Sequence, residues 1–201
     1  EAIMNGQSGN LDVVYRAAAA QYGDSDIGNS YVEINIGAQH LYVYKDGQIV
    51  CESDFVSGGL FKGNNTPDGT YPITYKEQDA TLVGENYSSD VSYWMPFNGN
   101  IGMHDASWRS SFGGHIYYLS GSHGCVNLPV SKAKEIFGYV EKGEAVVVYG
   151  GITTDQAWQT MSAAEQMQCM AKGYTPPLTA EQQLAIAAAQ QAGQVSGNAA
   201  Q

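Results

Sequence analysis

Basic residues are scarce in this sequence. Nine Lys and Arg stand against 20 Asp and Glu, a net charge of −11. Such a balance disfavours nucleic acid and anionic lipid as partners, because both need a cationic surface. Acidity by itself points to solubility rather than to a substrate. No run of about 18 or more apolar residues occurs, so no segment reads as a membrane-spanning helix. No signal peptide is visible. The chain opens at Glu1 without a Met, which reads as a mature or trimmed chain, any anchor lying upstream. Cysteine is limited to three residues, an odd number. Cys51 and Cys169 are remote singletons. They are either two reduced, buried thiols or, in an oxidising compartment, the one pair that leaves Cys125 free.

Tyrosine is plentiful, 14 residues against 5 Phe. Tyr suits strands and wet grooves, where the ring packs and the hydroxyl reaches a polar partner. Hydrophobic residues make up 43% of the chain, enough for a core. The length of 201 residues holds one domain of ordinary size plus appendages.

Residues 1–29 read as a leader, a linker or the remnant of a preceding domain, with helical character from Leu11 to Tyr22. From Tyr31 the pattern turns to strands. Tyr31 to Ile36 alternates with period two, Gln39 to Tyr44 follows, and Lys45-Asp46-Gly47-Gln48 is a hairpin turn. Ile49 to Val56 is the return strand. Thr66-Pro67-Asp68-Gly69-Thr70-Tyr71 reads as a turn and a further strand start. Residues 76–100 are polar and aromatic with weak periodicity, either a lid over a cleft or an ordinary surface hairpin. Val130 to Glu141 is a short helix, and Glu144 to Tyr149 a closing strand. Residues 151–201 form a helical extension. Its first helix spans Asp155 to Lys172, capped by Thr154 or Asp155, and a second starts at Thr179 and runs to about Ala192.

The chemistry sits in Ser122-His123-Gly124-Cys125-Val126-Asn127, with His104 upstream in Ile101-Gly102-Met103-His104-Asp105. Seventeen residues separate His104 from Ser122. A thiol attacks as thiolate, so an imidazole must take its proton or lower its pKa from about 8.5. Two blander readings compete. A lone Cys is often a small buried hydrophobe. Cys and His also bind zinc, but a zinc site needs three or four ligands at metal spacing, which this chain does not offer.

The pattern His-x(14–17)-[Ser/Thr]-His-Gly-Cys-hydrophobic-Asn is the signature of the L,D-transpeptidases of the YkuD type, and this chain resembles them from about Tyr31 to Gly150. The resemblance implies a mainly β (α+β) catalytic domain over residues 30–150 with one or two short helices. It implies Cys125 as nucleophile and His104 as base, its ring oriented by the Asp105 carbonyl, with His123 as the rival base. The amides of Gly124 and Cys125 would form the oxyanion hole. Ser122 and Asn127 would hold the loop through its backbone, and for Asn127 a direct substrate role stands level with this. Tyr93, Trp94, Trp108 and Arg109 are candidate substrate contacts; Arg109 either grips a substrate carboxylate or is a surface arginine.

The implied reaction cuts the L,D peptide bond before the terminal D-Ala of a peptidoglycan tetrapeptide stem. A thioester forms, and a neighbouring amine resolves it into a 3→3 crosslink. Water as acceptor would make an L,D-carboxypeptidase instead. A non-catalytic peptidoglycan-binding module and a general cysteine peptidase are the readings from other classes. No cofactor is called for, since sulfur does the covalent work. Carbapenems are the expected covalent inhibitors. The location is expected to be extracytoplasmic, with membrane contact only through an anchor outside this sequence.

Overall fold

The computed structural model describes residues 26–84, 87–179, 181, 182 and 184. Strands among them are β1 (Tyr31–Asn35), β2 (His40–Lys45), β3 (Gln48–Asp54), β4 (Gly69–Pro72), β5 (Glu77–Gly84), β6 (Tyr87–Asn98), β7 (Ile101–Asp105), β8 (Val126–Leu128) and β9 (Ala145–Tyr149). Helices are α1 (Ile116–Ser120), α2 (Val130–Tyr139), α3 (Thr154–Thr160) and α4 (Ala163–Ala171), with a 3-10 turn at Leu60–Lys62. The expected leader helix from Leu11 to Tyr22 lies outside the described residues. None of the described helices is long and apolar enough to cross a membrane.

Two sheets share one core. The first has the order β3-β2-β1-β9-β4 and the second β5-β6-β7-β8. Period-two alternation decides the buried face. In β1, Val32 and Ile34 are fully buried, as are Leu41 and Val43 in β2. Tyr31, Glu33 and Asn35 point the other way. β9 lies parallel to β1 and sets Val146 and Val148 into the same core. Phe55, Met95, Met103, Leu128 and Ile136 fill the space between the sheets and α2.

The β2–β3 turn needs positive φ at two residues, and Asp46 (50°) and Gly47 (78°) supply it. The return strand ends at Asp54, earlier than Val56 as the alternation predicted. Phe55 and Val56 leave the first sheet instead. Val56 exchanges both backbone hydrogen bonds with Asn127 at 2.9 Å. This crossing ties the first sheet to the strand that follows the Cys motif.

Residues 76–100 fold into a long hairpin, β5 with β6. Ala80, Val91 and Trp94 of this hairpin cluster with Cys125. The short helix α1 had no counterpart in the sequence reading. The expected single helix from Asp155 to Lys172 is two helices. Ser162 caps α4 by accepting the Glu165 amide at 3.3 Å, while the Glu165 carboxylate accepts the Ser162 amide at 2.7 Å. The reciprocal pair breaks the helix at that point. The α3 cap is Thr153, paired with Gln156, rather than Thr154 or Asp155. Ala157, Met161 and Cys169 from these helices join the main core. Tyr174 packs edge-on to Phe61 at 4.5 Å.

Ile34 sits fully buried at the centre of this core. Ile34→Ala is expected to lower unfolding free energy by about 2–5 kcal/mol. Val83→Ala, at a side chain 75% exposed, should change it by less than about 0.5 kcal/mol. Urea denaturation midpoints of the two variants check the contrast.

Candidate active site

The parallel pairing of β7 with β8 builds the site. It sets Met103 beside Val126, His104 beside Asn127 and Asp105 beside Leu128. Cys125 therefore sits one residue ahead of β8, on the loop that enters it. Gly124 turns that loop with φ of 126°, a conformation side-chain-bearing residues rarely adopt. A Cβ at Gly124 would also press on Ile101 at 3.2 Å.

Several bonds fix the loop. Ser122 Oγ donates to the Cys125 carbonyl at 2.5 Å and accepts the Gly124 amide at 3.0 Å. Ser57 and Gly59 clamp Ser122 through the backbone, each at 2.9 Å. Thr66 Oγ1 donates to the Gly124 carbonyl at 2.6 Å and accepts the Gly58 amide at 3.0 Å. Thr66 was read from sequence only as part of a turn. Its burial and its two loop contacts become visible only once the chain is folded.

The Gly124 amide is thus occupied by Ser122. That differs from its expected place in an oxyanion hole, because the N–H is already donated to the Ser122 hydroxyl at 3.0 Å. Asn127 also differs from expectation. Its side chain does not hold the loop backbone; its Nδ2 lies 2.9 Å from His104 Nε2, and its Oδ1 accepts from Arg109 Nε at 3.0 Å. On the far side of the ring, His104 Nδ1 lies 2.8 Å from the Asp105 carbonyl.

This chain of contacts has one self-consistent arrangement of protons. Arg109 Nε–H can only donate, so it meets Asn127 Oδ1. The amide nitrogen of Asn127 then donates to His104 Nε2. The Asp105 carbonyl can only accept, so Nδ1 carries the imidazole proton. A protonated Nε2 would put donor against donor. His104 is consequently a neutral imidazole whose basic lone pair lies on Nε2. Burial lowers its pKa below the usual histidine value, outweighing the opposing pull of the Asp105 carbonyl and carboxylate. The ring has two indole neighbours, Trp94 and Trp108, each with its centroid 5.9 Å away.

Cys125 is 8% exposed. Its thiol donates to the Asn100 carbonyl at 3.5 Å. Burial raises its pKa, and a hydrogen bond from the Gly102 backbone opposes this without prevailing. Cys125 and His104 therefore both favour their neutral forms, sharing a cleft, each hydrogen-bonded to a different partner.

Two clefts meet at Cys125. One, of about 190 Å³, is lined by His104, Trp108, Arg109, Ser122, His123 and Asn127, together with Leu82 and Ser89 of the β5–β6 hairpin. The other, of about 220 Å³, is lined by Tyr75, Glu77, Thr81, Leu82, Trp94 and Asn100. Leu82 of β5 borders both. Sequence reading did not single out Leu82, because β5 has little periodicity. Trp94 is buried at this junction and donates its indole N–H to Tyr75 Oη at 3.2 Å. Trp108 is exposed at the cleft wall. Tyr93 stands apart from the other candidates. Alternation along β6 turns its ring away from the clefts onto Phe137 of α2, with centroids 5.4 Å apart. His123 is exposed at the mouth of the first cleft. Cys51 and Cys169 are buried and unbonded, and burial pushes the Cys51 thiol up to about 11. Among the described residues, no three His, Cys, Asp or Glu side chains gather as metal ligands would.

The profile of the YkuD L,D-transpeptidase catalytic domain covers residues 29–148. A crystal structure of an Enterococcus faecium L,D-transpeptidase mutant is similar with 43% identity and a TM-score of 0.59, over 62% of this chain and 51% of that one. This chain therefore spans about half the length of that protein. The catalytic domain of the E. faecium L,D-transpeptidase, solved by NMR in a form acylated by ertapenem, has 43% identity and a TM-score of 0.55. That match covers 60% of this chain and 97% of that one. An L,D-transpeptidase from Stackebrandtia nassauensis is 27% identical with a TM-score of 0.52, over 67% and 60% of the two chains. With the profile spanning more than half of the sequence and His104 and Cys125 brought to one cleft, the chain belongs to the L,D-transpeptidase catalytic domain family.

Proposed function

We propose that this protein is a peptidoglycan L,D-transpeptidase that works through Cys125. The observation carrying the proposal is the junction of two clefts at a single thiol, with a neutral, Nε2-basic His104 in one of them. The acyl part of a tetrapeptide stem occupies the cleft beside Trp94. The residue that leaves, and later the acceptor amine, occupies the cleft beside His104. Once the leaving residue departs, that second cleft is open to an acceptor amine. The substrate also assigns the protein an extracytoplasmic location.

The steps follow from the protonation states. The Cys125 proton passes to His104 Nε2 once the Asn127 amide gives way. Sulfur bonds to the carbonyl carbon that precedes the terminal D-Ala. Negative charge on the carbonyl oxygen is taken by the Cys125 amide, since the Gly124 amide is held by Ser122. Collapse breaks the C–N bond, and His104 returns its proton to the leaving amine. The acceptor amine then attacks the thioester, giving its proton to His104; the C–S bond breaks, and the departing sulfur takes that proton back, restoring the neutral pair. A β-lactam carbonyl enters the same path, but its ring-opened amine stays attached to the acyl group.

A disaccharide-tetrapeptide offered to the protein should give a 3→3 dimer and free D-Ala, read by mass spectrometry. Cys125→Ala should lower turnover by at least about 10⁴-fold. Turnover surviving in that variant would refute the mechanism, and tripeptide monomer alone would mean a carboxypeptidase. One carbapenem should add per chain, on the peptide containing Cys125.

A neutral resting pair also sets a pH profile. The pKa of Cys125 is raised, so the thiolate fraction grows as pH climbs towards and past the ordinary thiol range. Alkylation of Cys125 by iodoacetamide should therefore keep rising with pH above neutrality. A plateau between about pH 6 and 8 would indicate a preformed thiolate–imidazolium pair and contradict the assignment.

A further inference from the structure

Arg109 is the one arginine among the described residues, in a chain of net charge −11. It is half-buried and lines the cleft that holds His104 and Cys125. None of the described ion pairs involves it. Partial burial of a guanidinium with no carboxylate beside it is costly, and is repaired when an anion arrives. Its Nε is taken by Asn127 Oδ1 at 3.0 Å, which leaves the two terminal nitrogens as the fork that matches a carboxylate.

Placement relative to His104 narrows the ligand. His104 must hand its proton to the amine that leaves, so that amine sits at His104. In a leaving α-amino acid the carboxylate carbon is two bonds from that nitrogen. Arg109 is one side-chain amide, that of Asn127, away from His104 Nε2. A terminal amino acid with its nitrogen at His104 therefore reaches Arg109 with its free carboxylate.

We propose that Arg109 is the specificity residue for the acyl donor, selecting stems whose scissile bond is followed by a single residue ending in a free carboxylate. The same contact bears on the base. The guanidinium that meets the carboxylate also holds Asn127, and Asn127 caps the lone pair His104 must use. Recognition of the correct donor thus acts on the group that frees His104. This inference rests on the donor chemistry proposed above.

The test compares a tetrapeptide donor ending in a carboxylate with the same donor ending in a carboxamide. For the wild-type protein the carboxylate donor should have the higher kcat/KM, by roughly 10- to 100-fold, the scale of a charged hydrogen-bonded contact. Arg109→Gln should bring that ratio close to one, and Arg109→Lys should leave it intermediate. A wild-type ratio near one, which needs no variant, would overturn the proposal. So would a full wild-type ratio in Arg109→Gln. A loss of overall turnover with the ratio unchanged would mean that Arg109 only supports the structure, and would also overturn it. A second readout is independent of peptidoglycan. The rate of Cys125 alkylation by anionic iodoacetate, divided by that of neutral iodoacetamide, should fall several-fold in Arg109→Gln. If no stem is turned over, the donor reading has failed, and this alkylation ratio still decides whether Arg109 draws carboxylates to the sulfur.

Discussion

The site depends on three residue pairs, the parallel ladder between β7 and β8. His104 and Cys125 belong to different segments, and backbone hydrogen bonding alone brings the segments side by side. Because the side-chain period in a strand is two, the register also decides which way each residue faces. Shifting β8 by one residue would turn Asn127 away from His104 and move the thiol off the cleft. The crossing at Val56 stabilises β8 from its other side, and Ser57, Gly59 and Thr66 hold the loop that enters it. The two sheets thus meet beside Cys125, and the precision of the site comes from backbone pairing on both flanks.

Within that frame, burial shapes the chemistry. A buried thiol and a buried imidazole both favour their neutral forms. The polar chain from Arg109 through Asn127 to His104 and the Asp105 carbonyl satisfies donors and acceptors in series, and fixes the tautomer. Such a pair is quiet until a carbonyl is positioned against it. In the mechanism proposed above, the thiolate forms only as part of the reaction. Cys51 and Cys169 are buried as well, and burial raises their pKa values too.

Much of this was legible in the sequence. The alternation of Tyr31 to Tyr44, the Asp46-Gly47 turn and the valine-rich closing strand predict the first sheet, because each is a local pattern. His104, Cys125 and the need for Gly at position 124 follow from residue types that have few uses together. What sequence could not give was the set of cross-chain partners. Asn127 has loop backbone beside it in sequence, yet its side chain lies on His104 and Arg109, a consequence of register. The hairpin from Glu77 to Asn98 was opaque, since its burial is split: Ala80, Val91 and Trp94 cluster with Cys125, while Met95 and Phe97 enter the main core. The reciprocal capping pair Ser162 and Glu165 was readable as Ser-x-x-Glu. It was overridden by the longer helical spacing from Asp155 to Lys172.

The state of His104 is the most direct test of this account. Long-range ¹H–¹⁵N correlation spectra of the protein report the protonation of each ring nitrogen. The account predicts a proton on Nδ1 and none on Nε2 at neutral pH. Because burial lowers the His104 pKa, that neutral tautomer should persist as pH falls through about 6.5, where an ordinary histidine is half protonated. An imidazolium at neutral pH, or a neutral ring with its proton on Nε2, would contradict it.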